Sequence, residues 1–94
     1  MAIKESSYFE GNVKSLGYQE QVDNISVGVM LAGEYTFGTA APERMSVIKG
    51  ELTVKLPGHV DWQTFSAGQS FEVDGDSSFN VKVAATTAYL CEYL

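Results

Sequence analysis

Tyr35, Phe37, Thr39 and Glu43 fall within one nine-residue stretch and carry the side chains of this chain most suited to a small-molecule site. In extended backbone, residues two apart share a face, so Tyr35, Phe37 and Thr39 look the same way. By the same parity Glu43 joins Thr39, and Arg44 looks away from both. A carboxylate turned inward needs hydrogen-bond donors or a cation beside it. Other chemistry is thinly represented. His59, the only histidine, follows Pro57 and Gly58 on a turn and reads as a solvated surface residue. Cys91, the single cysteine, shares a strand face with Tyr89 and Tyr93 and reads as a small buried hydrophobe without an activating partner. No Ser-His-Asp arrangement, phosphate-binding P-loop or dinucleotide glycine fingerprint is present.

The spacing around Glu43 resembles a cupin metal motif. In that motif two His stand two residues apart, a Glu follows four positions after the second, and a turn Gly follows seven later. Glu43 and Gly50 occupy the last two places, while Phe37 and Thr39 hold the His positions. A phenyl ring and a hydroxyl cannot replace two imidazoles around a divalent transition metal. The second cupin motif would bring a further His to Ser78 or Phe79, neither of which is a ligand.

The whole stretch GEYTFGTAAPERMSVIKG, with SVGVMLAGEYTF before it and TAYLCEYL at the end, resembles the pyrimidine/purine nucleoside phosphorylases, a family of small cupins. The likeness extends through YFEGNVKSLGY near the start and LPGHVDWQTFSAG in the middle. It implies an all-β, single-domain cupin-type jelly-roll β-barrel over residues 1–94. The activity it implies is phosphorolysis of purine and pyrimidine nucleosides to free base and ribose 1-phosphate.

That reaction needs an anion held against the sugar, fixed hydroxyls and stacking for the base. Matching residue types to those needs gives Glu43 and Tyr35 as catalytic candidates: a charge favouring an oxocarbenium-like ring, and a hydroxyl on an aromatic face. Lys14 is the candidate phosphate contact, pointing into the barrel mouth, and is favoured over Arg44. Thr39 and Phe37 complete the substrate-binding set. No metal and no organic cofactor is expected, with inorganic phosphate as co-substrate. A barrel that binds a nucleoside or another metabolite without turning it over is the alternative, and a metal-dependent cupin enzyme is weaker for lack of ligands.

The elements that must position these residues read as short strands between Gly and Pro turns, with no helical periodicity sustained over three turns. Ile25, Val27, Val29 and Leu31 line one face of a strand. Strands also follow through Tyr35–Thr39, Met45–Ile48, Leu52–Leu56, Trp62–Phe65, Phe71–Val73, Phe79–Val83 and Ala88–Leu94. Lys49-Gly50 marks a tight turn, and Pro42 marks a bend by holding Ala41 extended.

Ninety-four residues suit one small domain whose limited core makes a homodimer a natural source of further burial. A net charge of −6 with six Lys and Arg argues against a nucleic-acid partner. No apolar run is long enough to span a bilayer and no secretory signal opens the chain, so the expected compartment is the cytosol.

Overall fold

The computed structural model describes residues 2–94. Ten strands and one short turn of 3-10 helix follow one another as β1 (Lys4–Tyr8), the turn Phe9–Gly11, β2 (Val13–Glu20), β3 (Asp23–Met30), β4 (Gly33–Thr39), β5 (Glu43–Lys49), β6 (Glu51–Lys55), β7 (Gln63–Ser66), β8 (Ser70–Val73), β9 (Ser77–Val83) and β10 (Thr87–Tyr93). They form a six-stranded sheet, β1-β2-β3-β10-β5-β8, and a four-stranded sheet, β4-β9-β6-β7. Every recorded pairing is antiparallel. The jelly roll is therefore a sandwich of two sheets, whose ladders do not close into a continuous barrel.

Alternation decides what fills the sandwich. Leu52 and Val54 of β6 and Val81 of β9 point inward and meet Val13, Met30 and Val47 of the larger sheet, all essentially without exposure. Each such side chain contributes roughly 1.5–3 kcal/mol on burial. Phe71 and Phe79 extend this core, Phe71 tilted against Phe65 and Phe79 stacked on Phe37.

The Lys49-Gly50 turn forms where the sequence places it, with a left-handed Gly50 (φ 99°). A Cβ there would collide with the Thr87 hydroxyl. That wholly buried hydroxyl donates toward Glu51 O (3.0 Å) and Ala85 O (2.9 Å) and accepts from Glu51 N–H, locking the turn to β10.

Two features depart from the alternation read in the sequence. β1 and β2 are strands although their apolar pattern is weak. The apolar set of β3 faces outward, with Val27 and Val29 nearly half exposed, while Ser26 and Met30 face in. Ile48 likewise looks outward from β5, opposite to Val47. In β2 and β3 the inner face gives up part of its apolar pattern to Ser15 and Ser26, which line a cavity, and the outer face carries Leu16, Val27 and Val29.

Candidate functional site

Between the sheets lies a cavity of about 210 Å³ whose two walls differ in chemistry. The four-stranded sheet supplies Phe37 and Phe79, stacked at 5.7 Å between centroids. The six-stranded sheet supplies Glu43 and Met45 from β5, Tyr89, Cys91 and Tyr93 from β10, and Ser15 and Ser26 from β2 and β3. Tyr8 and Phe9 close one end. The turn that carries Phe9 is left-handed at Phe9 (φ 52°), Glu10 (φ 59°) and Gly11 (φ 89°). Left-handed backbone costs a non-glycine residue roughly 1–2 kcal/mol. Here it throws the Phe9 ring onto Tyr35 (4.9 Å) and edge-on to Phe37 (5.4 Å).

A second, more open cavity of about 450 Å³ shares Tyr8, Ser15, Ser26 and Tyr93 with the first. Its own lining is polar, with Ser6, Gln19 and Asn24, and includes Lys4. Lys4 is the one Lys or Arg among the described residues that line either space. The inner cavity alone is smaller than the ~300–1,000 Å³ of typical small-molecule sites. A ligand of more than one ring would span both.

Glu43 is the one carboxylate lining the inner cavity. Burial raises its pKa above the ordinary value of 4.5, and the Cys91 thiol, which donates to Oε1 at 3.4 Å, partly offsets that rise. Cys91 is itself pushed up to about 12, chiefly by burial and then by the neighbouring Glu43. Tyr89 and Tyr93 are also raised, in each case mainly by burial. Near neutral pH these three groups are uncharged, so the cavity holds one ionisable carboxylate among neutral hydrogen-bonding groups. Tyr93 and Ser26 share a hydrogen bond of 3.3 Å beside it.

The candidates read from the sequence fare differently. Glu43 and Phe37 come together in the inner cavity, and Arg44 faces out to Glu72 (3.4 Å) and Glu92 (3.8 Å), as parity requires. Tyr35 faces in but is almost wholly buried, and its hydroxyl donates to Leu31 O at 2.7 Å. Thr39 also faces in, but its hydroxyl donates to Asp74 O (2.6 Å) and accepts from Ser77 N–H (3.1 Å), so it clamps a loop.

Lys14 does not point into the mouth. Val13 and Ser15 take the inward positions of β2, which leaves Lys14 on the outer face with Leu16. His59 lies on an exposed turn away from both cavities, its N–H bonded to Leu56 O.

Sequence reasoning missed Lys4, Tyr8, Phe9, Ser15, Ser26 and Tyr93, and read Cys91 as a packing residue only. The available signal was the polar alternation of Lys4, Ser6 and Ser15 next to outward hydrophobics.

A cupin metal centre does not fit these side chains. Phe37 turns its ring into the cavity, Thr39 is spent on backbone, and among the described residues no three His, Cys, Asp or Glu side chains form a ligand group.

A family model described as pyrimidine/purine nucleoside phosphorylase matches residues 3–93. The chain belongs to the pyrimidine/purine nucleoside phosphorylase family. A relative of that name from Photobacterium profundum is 67% identical over 92 residues, covering 98% of this chain and 99% of the relative. A crystal structure of a protein of unknown function from Vibrio parahaemolyticus superposes with a TM-score of 0.95 at 62% identity, covering 100% of both chains. An RmlC-like cupin from Shewanella frigidimarina superposes with a TM-score of 0.76 at 16% identity, over 97% of this chain and 82% of that one, which bears on the fold alone. This chain of the pyrimidine/purine nucleoside phosphorylase family thus has a cupin-type jelly-roll fold.

Proposed function

We propose that the chain transfers the pentose of purine and pyrimidine nucleosides to inorganic phosphate, releasing free base and α-D-ribose 1-phosphate. The observation that carries this reading, beside family membership, is Glu43: a carboxylate inside an aromatic-walled cavity that opens onto Lys4. The base stacks on Phe37, a contact that accepts one-ring and two-ring bases alike because each offers a π-face. Ribose hydroxyls donate to Glu43, while Ser15, Ser26 and Tyr93 line the passage between the two cavities.

As the C1′–N bond lengthens, positive charge develops on the sugar ring, and the fixed negative charge of Glu43 favours it. Phosphate held on the Lys4 side forms the new C1′–O bond, and the departing base takes the bonding pair and the proton that phosphate gives up. Atoms and charge balance without a metal or an organic cofactor.

The test supplies uridine or guanosine to the protein with and without phosphate, after exhaustive chelation. Free base and ribose 1-phosphate are expected in equal amounts, and only with phosphate. Base release at the same rate without phosphate would make the protein a hydrolase. No release from any nucleoside would leave a binding module, and activity lost on chelation and restored by a metal would restore the metal centre.

A further inference from the structure

The inner cavity is closed at one end by a side chain held there on strained backbone. Phe9 lies in the turn between β1 and β2, where Phe9 (φ 52°) and Glu10 (φ 59°) are both left-handed before Gly11 (φ 89°). Two successive non-glycine residues in that region are uncommon, and such strain persists only where the surroundings enforce it. Asn12 enforces it from below. Its N–H donates to Phe9 O (3.1 Å) and its carbonyl accepts from Leu31 N–H (2.8 Å), which pins the turn to the segment after β3.

The ring above this anchor is held less firmly. Phe9 meets Tyr35 at 4.9 Å and stands edge-on to Phe37 at 5.4 Å, yet it remains 41% exposed. Its neighbour β1 is an edge strand of the six-stranded sheet, paired with β2 alone. Phe37, by contrast, is backed by the core, where the buried Phe79 stacks on it at 5.7 Å.

We propose that Phe9 is the displaceable wall of the base-binding space and sets the balance between one-ring and two-ring bases, which rests on the reading that a nucleoside base lies against Phe37. The space it closes measures about 210 Å³. A pyrimidine shares that space with the Phe9 ring in place. A purine carries a second fused ring and needs part of the volume that Phe9 occupies, so the phenyl ring has to swing outward toward solvent. Displacement loses the contacts with Tyr35 and Phe37 and exposes apolar surface, and relaxation of the left-handed backbone offsets part of that loss. The remaining cost falls on purine nucleosides alone, so it separates the two substrate classes rather than weakening both.

The experiment compares wild type, Phe9→Ala and Phe9→Leu, with circular dichroism to confirm folding. Two guanosine-to-uridine comparisons are read: kcat/KM at saturating phosphate, and dissociation constants by calorimetry in phosphate-free buffer. Phe9→Ala should shift both toward guanosine by roughly tenfold, the scale of discrimination by apolar volume in a pocket. Phe9→Leu, which keeps apolar bulk without the ring, should shift them the same way by less, and it decides the matter if Phe9→Ala does not fold. A purely structural role would weaken both nucleosides together. Preference left unmoved, or moved toward uridine, would overturn the proposal while phosphorolysis stands. If neither nucleoside is turned over but the dissociation constants shift toward guanosine, Phe9 keeps this role and the phosphorylase reading fails. If neither nucleoside binds or is turned over, the proposal falls with that reading.

Discussion

Glu43 is the half-buried carboxylate of the inner cavity, and among the described residues its one hydrogen-bond donor is the Cys91 thiol at 3.4 Å. Its raised pKa means the folded protein holds a proton that the unfolded chain has released. The stability contributed by protonated Glu43 is therefore present below its unfolded value near 4.5 and is lost as pH rises through its folded value. Glu43→Gln removes that dependence, so this variant should be at least as stable as the wild type at pH 7 while losing on the order of a hundredfold in kcat. Chemical denaturation between pH 4 and pH 7 and steady-state kinetics check the two halves. In the wild type the acid limb of kcat/KM should lie above the ordinary carboxylate value, because the ionised form does the work. Cations supply a second contrast. Lys4→Ala should raise the phosphate KM because Lys4 lines the open cavity, and Lys14→Ala, on the opposite face, should leave it unchanged. Phosphate saturation curves for the two variants measure this directly, and the reverse ordering would return Lys14 to the site.

At the scale of elements, Gly28 of β3 leaves room for the side chain of Tyr89 on β10, which lines the inner cavity. A Cβ on Gly28 would stand 2.5 Å from the Tyr89 hydroxyl and 2.8 Å from Lys14 O, a backbone atom that cannot swing aside. Gly28→Ala should then cost roughly 1–3 kcal/mol of stability, as overpacking does, and should push the Tyr89 ring into the cavity and raise the nucleoside KM. Urea unfolding together with nucleoside saturation measures both effects. Most strands from β3 to β10 were legible as alternating runs between turns, because β6, β8 and β9 alternate between core and solvent in the ordinary way. β1 and β2 were not, because the polar Lys4, Ser6 and Ser15 interrupt the inward apolar signal of Val13, and the hydrophobic Leu16 belongs to the outer face. Legibility of the site followed the same division. Parity paired Tyr35, Phe37 and Thr39 correctly, but no periodicity reveals that the Tyr35 and Thr39 hydroxyls are taken by backbone carbonyls from other segments. Nor could it show that Cys91, 48 residues away, donates to Glu43.

Across the whole molecule, a small sandwich divides its interior between packed core and open cavity. One part is filled by Leu52, Val54, Val81 and Met30 with essentially no exposure, while the part under β1, β2 and β3 is left open and lined by hydroxyls, aromatic rings and one carboxylate. That division limits the core of a 94-residue chain. In the proposed reaction phosphate becomes covalently attached to the pentose at the Glu43 cavity. Phosphorus NMR on a mixture of uridine and inorganic phosphate follows that bond directly, run in parallel with wild type and with folded Glu43→Gln at equal concentration. The wild type should convert the inorganic phosphate resonance into that of a sugar 1-phosphate, and the variant should do so about a hundredfold more slowly. An unchanged phosphate resonance while wild type releases base, or equal rates for the two proteins, would contradict the account.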